Sequence, residues 1–253
     1  MQIDISKKLY GRKVGLKDIH LYFPQGKTTL IIGTSGAGKS TLIKCIIQET
    51  SFDGTVQGYK KEDIAYIPQH PALNKNETVY NAIYWSARFA YTFQSGRKLH
   101  ALTQEYIDKV GLNTVQNNRI QNLSGGQVQR VSIAKELIRG KSIVIADEID
   151  TGLDCGVAKS LIQMLSNITH RENKTAIIIS HNLVNVDMYD NVVVLVKDSN
   201  HTGRVAYAGN PQQAKRHFDV SEYVDILVNV NSPDEGGLGL AEKYIAKFRS
   251  YRD

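Results

Sequence analysis

The sequence predicts an α/β fold: a parallel β-sheet core with an antiparallel β layer and an inserted α-helical subdomain. Three observations lead there. Five short apolar runs, at residues 28–33, 63–69, 142–148, 175–181 and 191–196, are rich in β-branched residues and continuous rather than alternating. That is the mark of strands covered on both faces. Helix-period stretches stand between some of these runs, as a parallel sheet requires. Residues 69–123 hold helical pattern and no convincing strand.

Each element follows from local signals. The early segments 3–10, 19–23 and 54–59 are short and separated by turns such as Phe23-Pro24-Gln25-Gly26 and Phe52-Asp53-Gly54. They read as a small antiparallel layer packed on the parallel sheet. Residues 40–48 form a helix after the first core strand, 127–139 one before the third, and 154–168 one after it. Within the insertion, 77–93 and 102–112 read as helices. Beyond Gly209, residues 210–218 make a helix with Pro211 in its first position, 231–239 a loop and 240–251 a final amphipathic helix. The expected organisation is a core of residues 1–72 and 128–210, a helical subdomain at 73–127 and a C-terminal helical tail at 211–253.

Composition narrows the class. The 253 residues are 42% hydrophobic and 22% charged, ordinary for a globular chain. No apolar run approaches the ~20 residues of a membrane helix. The first ten residues lack the apolar stretch of a secretory signal, so a cytoplasmic location is expected. Cys45 and Cys155 lie far apart without metal-ligand spacing and read as reduced thiols without a role. The net charge of +6 comes from scattered basic residues, not a basic arm, and nucleic acid is not the expected partner.

Chemistry concentrates in three places. Gly33-Thr34-Ser35-Gly36-Ala37-Gly38-Lys39-Ser40 fits G-x-x-x-x-G-K-[ST] and lies between a strand and a helix. Its glycines let backbone N–H groups wrap phosphates that a Cβ would block. Lys39 supplies a point charge, Ser40 a hydroxyl for Mg²⁺, and the helix dipole favours the anion. The strand at 142–148 ends in two carboxylates, Asp147 for a metal and Glu148 to polarise water. Leu123-Ser124-Gly125-Gly126-Gln127 opens a second helix with a polar turn, a second anion site in the same chain.

Together these motifs make residues 3–210 resemble the ATP-binding cassette family, the nucleotide-binding subunits of ABC transporters. The resemblance implies a phosphate-loop NTPase (RecA-like) core that binds and hydrolyses ATP with Mg²⁺. Residues 33–41, through Thr41, resemble the Walker A loop, 143–147 the Walker B strand and 123–127 the signature motif. Gln69 resembles the Q-loop glutamine, residues 151–154 the D-loop with Asp154, and His181 the switch histidine. Tyr10 stands where the family places an aromatic on adenine; packing on the antiparallel layer is its other reading. The other reading of His181 is a core histidine after a strand.

The family pairs two cassettes head to tail, which accounts for two anion sites in one chain. Ser124, Gly125, Gly126 and Gln127 of one chain would close over ATP held by the other's phosphate loop, and Asp154 would touch the opposite cassette. The implied roles are Glu148 as general base, His181 on the γ-phosphate and water, Lys39 on the β/γ oxygens, and Ser40, Gln69 and Asp147 around Mg²⁺. The implied partners are a second cassette and transmembrane permease domains that hold the chain at the inner face of the membrane. Ile149 and Asp150 replace the proline usual after the glutamate. Residues 136–154 and 203–218 look most like exporters of the White (G-type) branch, which favours export. Six aromatics within residues 80–93 have two readings: a subdomain core, or a stripe that receives a membrane partner's helix. The alternative function is a soluble ABC ATPase acting on DNA or ribosomes. The short stretch between Gln69 and Leu123 leaves no room for the long coiled coils of the DNA-acting relatives.

Overall fold

Every residue of Thr28–Gly33 is buried, as a strand covered on both faces must be. The computed structural model describes residues 1–250. In chain order the strands are β1 (Gln2–Tyr10), β2 (Lys13–Tyr22), β3 (Thr28–Gly33), β4 (Asp53–Gln57), β5 (Ile64–Ile67), β6 (Ile143–Asp147), β7 (Thr175–Ile179), β8 (Asn191–Lys197) and β9 (Gly203–Gly209). The helices are α1 (Lys39–Ile46), α2 (Val79–Ala90), α3 (Gly96–Val110), α4 (Gly125–Leu137), α5 (Cys155–Arg171), α6 (Pro211–His217), α7 (Tyr223–Val230) and α8 (Ala241–Arg249). They fall into two units, residues 1–61 with those from 177 onward, and residues 62–176. β7 starts in the second unit and ends in the first.

In the first unit β1 pairs antiparallel with β2 and β4, bringing Ile3 opposite Leu21 and Val56. β8 pairs parallel with β3 and antiparallel with β9. The expected antiparallel strands are present, but they continue this sheet edge to edge through one pairing, Leu16 with Gly203, instead of lying on it as a separate layer. Glycine allows the approach: a Cβ on Gly203 would stand 2.2 Å from the Ala37 oxygen and 2.8 Å from Leu16 Cδ2. The tail packs into this unit. Phe218 and Tyr244 are fully buried with ring centres 4.6 Å apart, and the Tyr244 hydroxyl donates to the Phe218 carbonyl at 2.8 Å. α7 occupies a stretch to which the sequence reading assigns no element. Of the expected tail, residues 251–253 lie outside the described residues.

In the second unit β5 and β6 pair parallel, Tyr66 beside Ile145 and Ile67 beside Ala146. α2 is capped by Thr78 and buries Val79, Ala82, Ile83 and Ala87. It stops at Ala90, short of the expected Phe93. α3 starts at Gly96, six residues before the expected 102, because the Ser95 hydroxyl caps the Lys98 N–H at 3.5 Å. Two aromatic stripes separate on α2. Tyr80 and Tyr84 stack with His100, while Trp85, Phe89 and Phe93 remain 48%, 78% and 103% exposed. A subdomain core therefore does not account for the second stripe.

Among the described residues no helix is long and apolar enough to cross a membrane. Burial pushes the Cys45 thiol up to about 11, consistent with an inert side chain.

Candidate functional site

The first unit carries the phosphate loop, Tyr10 and His181; the second carries Gln69, the signature turn, Asp147, Glu148 and Asp154.

The loop is set by its backbone. β3 ends at Gly33, where a Cβ would stand 2.1 Å from the Leu195 oxygen. Thr34 and Ala37 are buried, Ser35 and Gly36 exposed. Gly38 caps α1 at φ +93°, a left-handed conformation that glycine adopts without penalty. Lys39 is nearly buried, and its ammonium donates to the carbonyls of Gly33 at 2.9 Å and Thr34 at 3.2 Å. The charge therefore already sits over the loop. Ser40 and Thr41 form the first turn of α1. The Tyr10 hydroxyl lies 3.2 Å from Thr41 Oγ1, with the Lys8 ammonium 4.8 Å from the ring centre. Tyr10 is 47% exposed, and one edge of its ring lies over Gly15 of β2, where a Cβ would stand 3.0 Å from Cδ2, so the ring packs on the antiparallel strands and still borders the loop through its hydroxyl. His181 is exposed, just after β7.

The second unit is held by side chains. Asp147 ends β6, and the Tyr66 hydroxyl donates to its Oδ2 at 3.0 Å. Gln69 Nε2 donates to Glu148 Oε2 at 2.9 Å. Glu148 is left-handed at φ +48°, a conformation costly for a side-chain-bearing residue and concentrated at functional sites. A proline next in sequence would push Glu148 towards extended backbone; Ile149, fully buried, does not. Thr151 N–H closes the turn on the Glu148 carbonyl at 3.1 Å. Ser124 and Gln127 form a reciprocal cap: Gln127 N–H donates to Ser124 Oγ at 3.4 Å and Ser124 N–H to Gln127 Oε1 at 3.0 Å. A Cβ on Gly126 would meet Val157 Cγ1 at 2.6 Å, which explains the bare backbone there. Asp154 caps α5 through the Val157 N–H at 2.9 Å.

Two contributors escape the sequence reading, Tyr66 and Gln129, whose Nε2 donates to the Gln69 carbonyl at 3.0 Å. Their signals are position alone: Tyr66 lies in β5 three residues before Gln69, and Gln129 follows the signature turn on the same helix.

The family model for ABC transporters matches residues 16–151. The manganese transport system ATP-binding protein MntB of Halalkalibacterium halodurans is 30% identical over 86% of this chain and 91% of its own length. The zinc import ATP-binding protein ZnuC of Halorhodospira halophila is 29% identical over 92% of this chain and 84% of its own. A solved ATP-binding subunit of an ABC transporter superposes with a TM-score of 0.72 at 22% identity, covering 89% of this chain and 96% of that one. The relatives named for a direction are mostly named for import, so the expected kinship with White-type exporters finds no support among them.

Proposed function

This chain belongs to the ABC transporter family and is an ATPase, and from that premise we propose that it drives transport through transmembrane partners by hydrolysing MgATP in a head-to-tail pair of cassettes. The observation that carries the reading is the phosphate loop: a glycine cradle between a buried strand and α1, with the Lys39 ammonium lying over its carbonyls.

The division of labour follows the site residues. We take residues 1–72 and 128–210 as the ATP-binding core, 73–127 as the helical subdomain that presents the signature turn, and 211 onward as a packing tail. The amides of residues 33–41 bind the β- and γ-phosphates with Lys39, and Tyr10 stacks on the base. Ser40, Asp147 and Gln69 offer the few hard oxygen ligands of an ion that keeps water and takes its remaining ligands from nucleotide. Mg²⁺ bound there would neutralise charge on the transferring phosphoryl group. Glu148 takes the proton of the attacking water, and His181 orients that water against the γ-phosphate. Ser124, Gly125, Gly126, Gln127 and Asp154 serve the nucleotide of the opposite cassette.

The exposed Trp85–Phe89–Phe93 stripe borders a groove of about 660 Å³ lined by Trp85, Phe89, Lys135 and Arg139. It fits a short helix of a permease, which would hold this chain at the inner membrane face. Export rests only on the resemblance of residues 136–154 and 203–218, which the relatives do not support; their names favour import. Those names span manganese, zinc, methionine and sulfate, so cargo belongs to the permease side.

The test is the solution mass of Glu148→Gln by light scattering. A doubling with MgATP supports the composite site. A monomer under both conditions, with permease added as well, refutes the head-to-tail pair.

A further inference from the structure

We propose that Gln129 is a positioning residue for hydrolysis: it clamps the main chain of Gln69 to the signature helix, so that the amide lying on Glu148 and the turn at Ser124 move as one. The proposal rests on the reading of Glu148 as the base.

Two consecutive hydrogen bonds carry it. Gln129 Nε2 donates to the Gln69 carbonyl at 3.0 Å, and Gln69 Nε2 donates to Glu148 Oε2 at 2.9 Å. Gln129 sits on α4, whose first turn is the reciprocal cap of Ser124 and Gln127. Gln129 is the fifth residue of the helix that Ser124 caps, and over that length a helix moves as a rod. A shift of the signature turn therefore reaches the Gln69 main chain directly.

The chemistry gives the clamp a purpose. A carboxylate oxygen that already accepts from an amide has one lone pair fewer to offer the attacking water. In the arrangement seen here Gln69 covers Glu148 Oε2, so the base works once Gln69 swings away. Gln129 sets how far the loop travels. Its own state fits a residue with two arrangements. Gln129 is 8% exposed, and its Oε1 is buried without a hydrogen-bond partner. Packing alone would be served better by leucine, which leaves no buried acceptor unmet. The unused Oε1 is the acceptor that a displaced loop N–H would find.

The test is a double-mutant cycle on the full chain, measuring kcat and the ATP dissociation constant for wild type, Gln129→Leu, Gln69→Ala and the double variant. Gln129→Leu is expected to lower kcat about tenfold with ATP affinity within about twofold. In the Gln69→Ala background it should cost nothing further, because both act through one amide. No loss of kcat, or an equal loss in both backgrounds, overturns the proposal. Exchange of the Leu73 and Glu77 amides, which hydrogen-bond within the Gln69 loop, is expected to quicken in the nucleotide-free Gln129→Leu chain. Unchanged exchange likewise overturns it. Gln129→Asn, which keeps the amide but shortens its reach, replaces the leucine variant if that fails to fold. Full turnover in Glu148→Gln would sink the base assignment instead, and leaves the exchange result to judge the clamp.

Discussion

The phosphate loop and the Gln69–Glu148 pair are built in opposite ways. The loop is fixed by main chain: a buried strand, glycines where a Cβ would collide, and a lysine folded over its carbonyls. The carboxylate half is fixed by exchangeable side-chain contacts: Tyr66 on Asp147, Gln69 on Glu148 and Gln129 on Gln69. A backbone cradle is ready before its ligand arrives, which lowers the cost of binding. A side-chain cradle can trade partners at little cost, which suits residues that must act only when the nucleotide is in place. On the proposed roles, binding and hydrolysis rest on different kinds of structure.

Four changes break or sharpen this contrast. The largest effect should come from Glu148→Gln. On the proposed role of Glu148 as base, kcat should fall by about 10²–10⁴-fold while ATP affinity holds, as read by steady-state kinetics and equilibrium binding. A matching loss of affinity would mean that the two halves are not separable. Next, Gly203→Ala strikes the backbone-built half through the Ala37 carbonyl. It should cost about 1–3 kcal/mol in chemical denaturation and weaken ATP binding, since the loop cannot yield as a side chain would. Tyr66→Phe removes one hydrogen bond from the exchangeable half. It should raise the Mg²⁺ concentration for half-maximal turnover by roughly fivefold, in line with about 1 kcal/mol, with no change in melting temperature. The smallest effect is a control on the tail. His217 is held below its usual 6.5, first by burial and then by the Lys247 charge. The folded chain then binds fewer protons than the unfolded one, so this contribution is complete above pH 6.5 and is lost as pH falls through the lowered value. His217→Phe should flatten that acid-side slope in urea titrations without touching turnover.

The parts legible in the sequence were those whose chemistry is local. A phosphate loop needs its glycines, lysine and hydroxyl at fixed spacing, so residues 33–41 are readable as text. The same holds for the Asp147–Glu148 pair at the end of an apolar run, and for Ser124 and Gln127 three residues apart. Tyr66 and Gln129 were not legible, because their value depends on which residue stands opposite across elements. The α7 stretch shows the other failure. Tyr223-Val224-Asp225-Ile226-Leu227-Val228-Asn229-Val230 carries two apolar periods at once, Val224, Ile226, Val228 and Val230 alternating as in a strand and Tyr223, Ile226 and Val230 at helical spacing; the structure takes the second, burying Tyr223, Ile226 and Val230 while Val224 and Val228 face outward. Packing on the tail overrides propensity there. The α3 start was hidden behind Gly96, a poor helix former admitted at the first turn by the Ser95 cap.

One feature of α2 opens a practical route. Trp85 is the only tryptophan in the chain, and it lies half exposed on the groove proposed for a membrane partner. Indole emission shifts to the blue when water leaves the ring. The protein therefore carries its own optical probe at the surface where chemical energy would be handed to the permease, and engagement can be followed in real time without a label.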